Sequence, residues 1–543
     1  MAQMQQGRVM RTAVFLMCTL IIARIFGYAR NVVMMYSIGQ NWITDAYAAA
    51  FAIPNVIYNI MIGGAVSSAF VPVISSYLVK GQKEDAWQVS NTIISWSVVL
   101  MGAFILVAYI FTPQIMLIYG GFEPETLRLA VALARIMLLQ PLFLTLANIS
   151  QGILHSHQHF TSPAIGSMIY NILVVMFGVL LAIPIEKHWP SYGIAGYSVG
   201  VVVGAMIFFV VQIPALKKTQ FHFKLSFNVR HPGFIRLIKL MVPVVLGLSV
   251  LYINQLVNQT RASSLMEGSV NALSLAQQFM NLPIGIFATA IAMAIFPTMT
   301  QQAALNDLHE FKRSLSLGIR SVAFICIPSA VGLIVLREPI LRLLFEFKGG
   351  QFLAQNTIFT AQALLYYSIG LTFYGIVLVL SRGFYAQQIT ITPVIISLIT
   401  MLTNYVFSHL LVGIMAHRGL ALAFSIAGIV QCSLLFVFLR RRIGHMDLRH
   451  ISSSFVKTSA VCLAMGLAVW GTERGIAAVM DVMASKTAQI IQLGVSMGLA
   501  VVIFFSLAYA LRMEEAKIII DMFKRRMRRK EQHTPQTVTG EGK

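Results

Sequence analysis

The chain has 543 residues, of which 57% are hydrophobic and only 11% charged, and its mean hydropathy is +0.77. Soluble domains are roughly 45–50% apolar and about 25% charged, so an ordinary water-soluble enzyme is excluded and the bilayer is the expected solvent. The formal net charge of +21 belongs mostly in connections, where it orients the chain and meets anionic lipid; an anionic substrate is the sharper reading of the same excess, and a nucleic-acid partner is not expected.

Apolar runs long enough to cross hydrocarbon predict an all-α polytopic protein with fourteen transmembrane helices, over 12–34, 46–73, 90–112, 129–151, 162–184, 193–214, 236–258, 271–297, 318–336, 359–383, 391–412, 418–439, 456–474 and 488–512. Arg8 and Arg11 precede the first run as in a signal peptide, but the run continues through Arg24 and Arg30 without a small-residue cleavage site, so it reads as a retained helix. An even count puts both termini on one side. Lys80 and Lys83, then Lys217, Lys218, Lys224 and Arg230, then Lys312 and Arg313, then Arg440, Arg441 and Arg442 fall in alternate connections, which makes that side cytoplasmic, with Arg337, Arg342 and Lys348 as an exception. Beyond Arg512 the stretch Lys524, Arg525, Arg526, Arg528, Arg529 and Lys530 reads either as the basic face of an interfacial helix over 513–530 or as a solvated topology anchor.

An internal repeat has an offset of roughly 230 residues. Ile53-Pro54 before Ala65 to Pro72 is answered by Leu282-Pro283 before Ala290 to Pro297, and Ser162-Pro163 with Asn171 by Thr392-Pro393 with Asn404. About six helices separate the copies, so the halves share one direction, as in two pseudo-symmetric six-helix lobes followed by two extra helices. A nontransport scaffold of repeated helices is the other reading, and arginines inside helices weigh against it.

Arg24 and Arg30 lie within the first apolar run, where a guanidinium needs a polar cavity, a carboxylate or a route to the interface. Asp45 opens the second run, either as an N-cap in Thr44-Asp45-Ala46 or as an acid that closes over Arg24 or Arg30. Pro54-Asn55, Gly63-Gly64 and Pro72, matched by Pro283, Gly285 and Pro297, predict bent helices that either gate or merely kink. Arg261 follows its own span and either closes the outer mouth or is loop charge. Arg135, Asn171, Gln255, Asn258, Gln277, Gln278, Arg382, Tyr385 and Asn404 are further intramembrane polar groups, for which interhelical hydrogen bonding is the plain reading. The four cysteines, Cys18, Cys326, Cys432 and Cys462, are too far apart for a metal site and read as small hydrophobes. Phosphate-loop, zinc-protease and nucleophile-elbow motifs are lacking, and His155-Ser156-His157 has no acidic orienter. No cofactor is expected, and the driving force is expected to be the membrane potential or an ion gradient.

Beyond Arg24 to Pro72, the segments Arg135-Ile136-Met137, Phe160 to Pro163, Glu267-Gly268-Ser269, Leu282 to Phe287, Arg342 to Glu346, Arg382 to Ala386 and Gly419 to Ala423 form a specific set. With it the chain resembles the MurJ (MviN) lipid II flippase family of the MOP exporter superfamily. That resemblance implies lobes over 1–220 and 221–445, helices 13 and 14 over 446–512 forming a groove for the polyprenyl tail, and a basic cytoplasmic tail over 513–543. It also implies alternating access in a bacterial inner membrane, with lipid II as substrate and peptidoglycan synthases or division proteins as functional neighbours, while the two internal lobes make a monomer sufficient. Arg24, Arg30 and Asp45 match important family positions, and Asn55, Arg261 and Gln278 complete the expected substrate-contacting set, with Pro54, Gly64, Pro72, Pro283 and Pro297 as gating positions. The chain departs from the family at Tyr58 and Asn59, where many relatives have arginines, at Gly63 and Gln388, where an acid is common, and at Gln278, an arginine elsewhere. Another polyprenyl-linked glycan, or a drug moved by cation antiport, is the alternative cargo.

Overall fold

A computed structural model describes residues 25–61, 69–157, 159, 161–444, 448–479 and 485–516, and all regular structure among them is helical. The first helices are α1 (25–37), α2 (Trp42–Met61), α3 (Val71–Val79), α4 (Lys83–Met116), α5 (Pro124–Met137), α6 (Gln140–Ser156) and α7 (Thr161–His188). They are followed by α8 (Ala195–Val210), α9 (Ile213–Lys218), α10 (Pro232–Ala262), α11 (Ser269–Pro283), a π turn (Ile284–Ala288), α12 (Thr289–Ala304) and α13 (Leu308–Val335). The remainder are α14 (Arg337–Phe345), α15 (Ala354–Ala386), α16 (Ile391–Met415), α17 (His417–Ile443), α18 (Leu448–Val479) and α19 (Lys486–Ala510).

Eleven helical stretches among the described residues are long and apolar enough to cross a membrane. The expected spans 12–34 and 46–73 run into residues outside the described set, and 236–258 lies inside α10. Several helices outlast their apolar runs because polar first turns stay helical where they are acidic or capped. The span expected over 90–112 extends back to Lys83, where Glu84 and Asp85 put negative charge in the first turn, favourable to the helix dipole. Asp307 caps α13 by accepting from the Glu310 N–H at 3.1 Å, and Pro232 starts α10 while the His231 ring accepts from the Gly233 N–H.

The chain forms two compact units, the first comprising the described residues of Met1–Gln278 with Leu344–Tyr366 and Thr390–Gln431. Here α7 and α8 pair closely because Gly196, Gly200 and Gly204 line one face of α8. A Cβ at Gly200 would lie 2.8 Å from the Val174 Cα, and one at Gly204 would lie 2.9 Å from the Tyr170 carbonyl oxygen, the close backbone approach that small residues four apart permit in membranes. A buried cluster of Phe70, Val73, Ile74, Val89, Ile93, Ile149, Ile153 and Leu237 ties α3, α4, α6 and α10 together.

The second unit comprises Phe279–Leu343, Tyr367–Ile389 and the described residues of Cys432–Lys543. Phe324 of α13 packs on Phe504 of α19 with ring centres 4.9 Å apart, and the Lys486 ammonium donates to the Arg342 and Leu343 carbonyls at 3.0 Å each. Arg320 pairs with Glu514 and with Glu515, which also accepts from the Ser454 hydroxyl. The basic residues Lys524 to Lys530 lie outside the described set.

Candidate functional site

Of the polar candidates in the first unit, Arg30, Asp45 and Gln278 gather around α1 and the turn that joins it to α2. Asn41 caps α2: its Oδ1 accepts from the Ile43 and Thr44 N–H groups while the Thr44 hydroxyl oxygen accepts from the Asn41 N–H, a reciprocal capping box. Asp45 is thereby released from capping its own helix. Its buried carboxylate accepts from the backbone N–H of Gly268 and of Asn271, at 2.7 Å each, and so caps the start of α11 from another helix. A buried carboxylate needs such donors, and α11 needs acceptors for its first turn.

Gln40, also buried, extends this clasp. Its amide donates to the Gly268 carbonyl at 3.2 Å and accepts from the Thr360 hydroxyl at 2.8 Å, while its backbone carbonyl accepts from the Asn356 amide. Gly268 has φ +82°, and a Cβ there would sit 3.0 Å from the Gln40 Cγ, so both backbone conformation and space call for glycine. The Gln351 N–H donates to the Tyr36 carbonyl at 3.0 Å. The α1–α2 turn is thus held by three segments distant in sequence.

Further along α1, the Asn31 amide donates to the Gln278 side-chain oxygen at 2.6 Å and the Tyr28 hydroxyl to the Gln278 carbonyl at 2.9 Å. Gln278 therefore ties α11 to α1. Arg30, one residue from Asn31, is half-buried with its guanidinium carbon 5.8 Å from the Phe51 ring centre, a cation–π arrangement, and its charge also faces the phenols of Tyr47 and Tyr170. No carboxylate of the described residues lies within 4.0 Å of it. Aromatic faces and phenols leave the cation able to accept an anion.

Arg261 lies in the last turn of α10 and donates to the Tyr405 hydroxyl at 3.0 Å, away from the α1–α2 turn's own contacts. Asn404 donates to the Oδ1 atoms of Asn254 and Asn258 at 2.7 and 2.8 Å, so it joins α16 to α10 in the manner of interhelical glue. The side chain of Arg382, in the second unit, lies over Phe296 at 5.1 Å. His157 stacks on Trp87 with ring centres 5.4 Å apart.

Among the expected gating positions, Pro54 is buried and α2 continues through it, with the Asn55 carbonyl accepting from the Asn59 amide at 2.8 Å. Pro72 stands in the first turn of α3, directly after a π-wound pair at 69–70. Pro283 ends α11, the π turn Ile284–Ala288 follows, and Pro297 lies inside α12. The Thr289 hydroxyl donates to the Ile284 carbonyl at 3.2 Å, a second donor beside the Thr289 N–H on a carbonyl of the altered winding. Arg24 and Gly64 lie outside the described residues.

Sequence reasoning missed Gln40, Asn271, Thr360 and Tyr170. The only sequence signals were a polar Gly39-Gln40-Asn41 turn between two apolar runs and the Glu267-Gly268-Ser269 segment.

Comparison with known proteins places this geometry in a family. The family model described as "Lipid II flippase MurJ" matches residues 34–488. A lipid II flippase MurJ from Burkholderia cenocepacia is 29% identical over 436 residues, covering 78% of this chain and 82% of the relative. The solved structure described as "Lipid II flippase MurJ, inward closed conformation" is 27% identical and superposes with a TM-score of 0.74, covering 92% of this chain and 99% of that one. An inward-facing multidrug resistance MATE family transporter of the MOP superfamily shares the fold, with a TM-score of 0.62 at 16% identity over 77% of this chain and 98% of its own. The chain is a multi-span, all-α membrane protein and belongs to the lipid II flippase MurJ family.

Proposed function

We propose that this chain flips lipid II from the cytoplasmic to the outer leaflet of a bacterial inner membrane by alternating access, as a secondary transporter rather than an enzyme. The observation that carries the reading is Arg30, a half-buried cation in an apolar helix that faces aromatic groups and no carboxylate within 4.0 Å among the described residues. Such a group is costly in a membrane unless an anion or water visits it, and a pyrophosphate is an anion suited to planar guanidinium donors.

In this reading fourteen spans form two pseudo-symmetric lobes, 1–220 and 221–445, followed by helices over 446–512 that hold the lipid tail and a basic cytoplasmic tail over 513–543. The repeat offset and the alternation of basic connections support it. Both termini are then cytoplasmic, the α1–α2 turn is external, and the clasp of Asp45 and Gln40 on Gly268, Asn271 and Thr360 closes the outer mouth. Opening exchanges these hydrogen bonds for water as the lobes rock. Arg24, Asn55, Arg261 and Gln278 complete the substrate path, Pro54, Gly64, Pro72, Pro283 and Pro297 mark its moving helices, and potential or an ion gradient drives it. Anionic lipids surround it, and peptidoglycan synthases or division proteins act next to it.

Binding tests this directly. Purified full-length protein should retain lipid II, and R30Q should weaken retention about tenfold, the scale of a charge-assisted phosphate contact. Binding of a cationic drug in place of lipid II would favour the antiporter, and equal retention by wild type and R30Q would refute the role of Arg30.

A further inference from the structure

Arg128 and Arg135 stand seven residues apart on α5, two turns and about 10 Å along nearly the same face. With Gln114, Leu117, Leu127 and Val131 they line a cavity of about 420 Å³ at the end of α4. Arg128 is exposed. Arg135 is half-buried, its guanidinium carbon lies 5.1 Å from the Tyr109 ring centre, and its Nε is buried without a hydrogen-bond partner. Among the described residues no carboxylate lies within 4.0 Å of either guanidinium. The neighbouring surface of α4 and of the residue that follows it is apolar and exposed, with Ile110 at 56% and Leu117 at 62%.

The geometry points to this cavity as a binding site for the headgroup of an anionic glycerophospholipid, separate from the Arg30 region and from the transported cargo. Two cations without acid partners at the edge of an apolar span call for an anion, and Arg135 supplies a planar donor fork suited to phosphate oxygens. Arg128, two turns nearer the start of α5, meets the rest of the headgroup, while acyl chains lie along the exposed apolar residues. The cavity matches a small polar headgroup in size and is too small for a disaccharide with a peptide.

The test uses full-length protein in nanodiscs of phosphatidylethanolamine doped with phosphatidylglycerol, released into a mass spectrometer so that retained lipids are counted. Phosphatidylglycerol should be retained preferentially. R128Q, at an exposed position that does not endanger folding, should lower that preference about fivefold, the factor expected for one surface cation near anionic lipid. R128Q/R135Q should abolish the preference, and R135K should restore part of it. Equal retention of the two phospholipids by the wild type, or an unchanged preference in R128Q, would overturn the proposal. Retention of added polyprenyl phosphate in place of phosphatidylglycerol, lost in the same variants, would overturn the phospholipid assignment.

Discussion

The carboxylate of Asp45, near the start of α2, accepts the backbone N–H groups of Gly268 and Asn271 across 223 and 226 residues of sequence. One acid caps a helix other than its own, and its strength comes from burial, because both donors would otherwise be left unpaired.

Replacing Asp45 with Ala removes an acceptor shared by two backbone donors and should weaken the clasp by about 2 kcal/mol, or about 30-fold in the closed-to-open ratio. The measurement is labelling of a cysteine placed at Asn271, which is buried at 4% exposure, in a protein lacking its four native cysteines. A membrane-impermeant maleimide should react much faster in D45A than in the parent. Equal rates would show that Asp45 does not hold the turn closed.

Gly268 tests the same clasp without changing charge. Its positive φ and its proximity to the Gln40 Cγ make G268A unfavourable by about 1 kcal/mol or more. Labelling at Asn271 should rise in G268A as in D45A, by a smaller factor. A rate matching the parent would mean that the turn adjusts freely.

Much of the fold is legible in the sequence because hydrocarbon imposes a simple rule: a span needs an uninterrupted apolar run. Helix length was less legible. Polar ends such as Lys83 to Ser90 carry no hydropathy signal, yet they stay helical where the first turn is capped or acidic. The site divides similarly. A charge inside an apolar run marked Arg30, but the partners of Asp45 are backbone amides of Gly268 and Asn271, and backbone donors leave no trace in residue type. Gln278 and Asn404 gave the expected interhelical contacts, with Asn31 and with Asn254 and Asn258, whose identities depended on three-dimensional packing.

Arg30 separates a transport role from a structural one. R30K keeps the charge but loses the planar donor fork, and R30Q loses both. Transport-dependent growth should therefore fall in the order wild type, R30K, R30Q, with about tenfold or greater loss of transport for R30Q at near-normal abundance by immunoblot. Full growth supported by R30Q would contradict the assignment.

The α7–α8 contact gives a purely structural control. Gly200 faces the Val174 backbone with no room for a side chain, so G200V should lower stability by about 2 kcal/mol, within the range for overpacking. Thermal unfolding in detergent measures it. A G200V protein as stable as the parent would show that the helices separate without cost.

Translocation of lipid II is read most plainly from its exposure on the outer leaflet of intact cells that depend on this chain. On depletion, lipid II should accumulate but become unavailable to an external probe, and wild-type chain should restore exposure while R30Q does not. Unchanged exposure after depletion, in cells without another flippase, would show that the chain does not translocate lipid II.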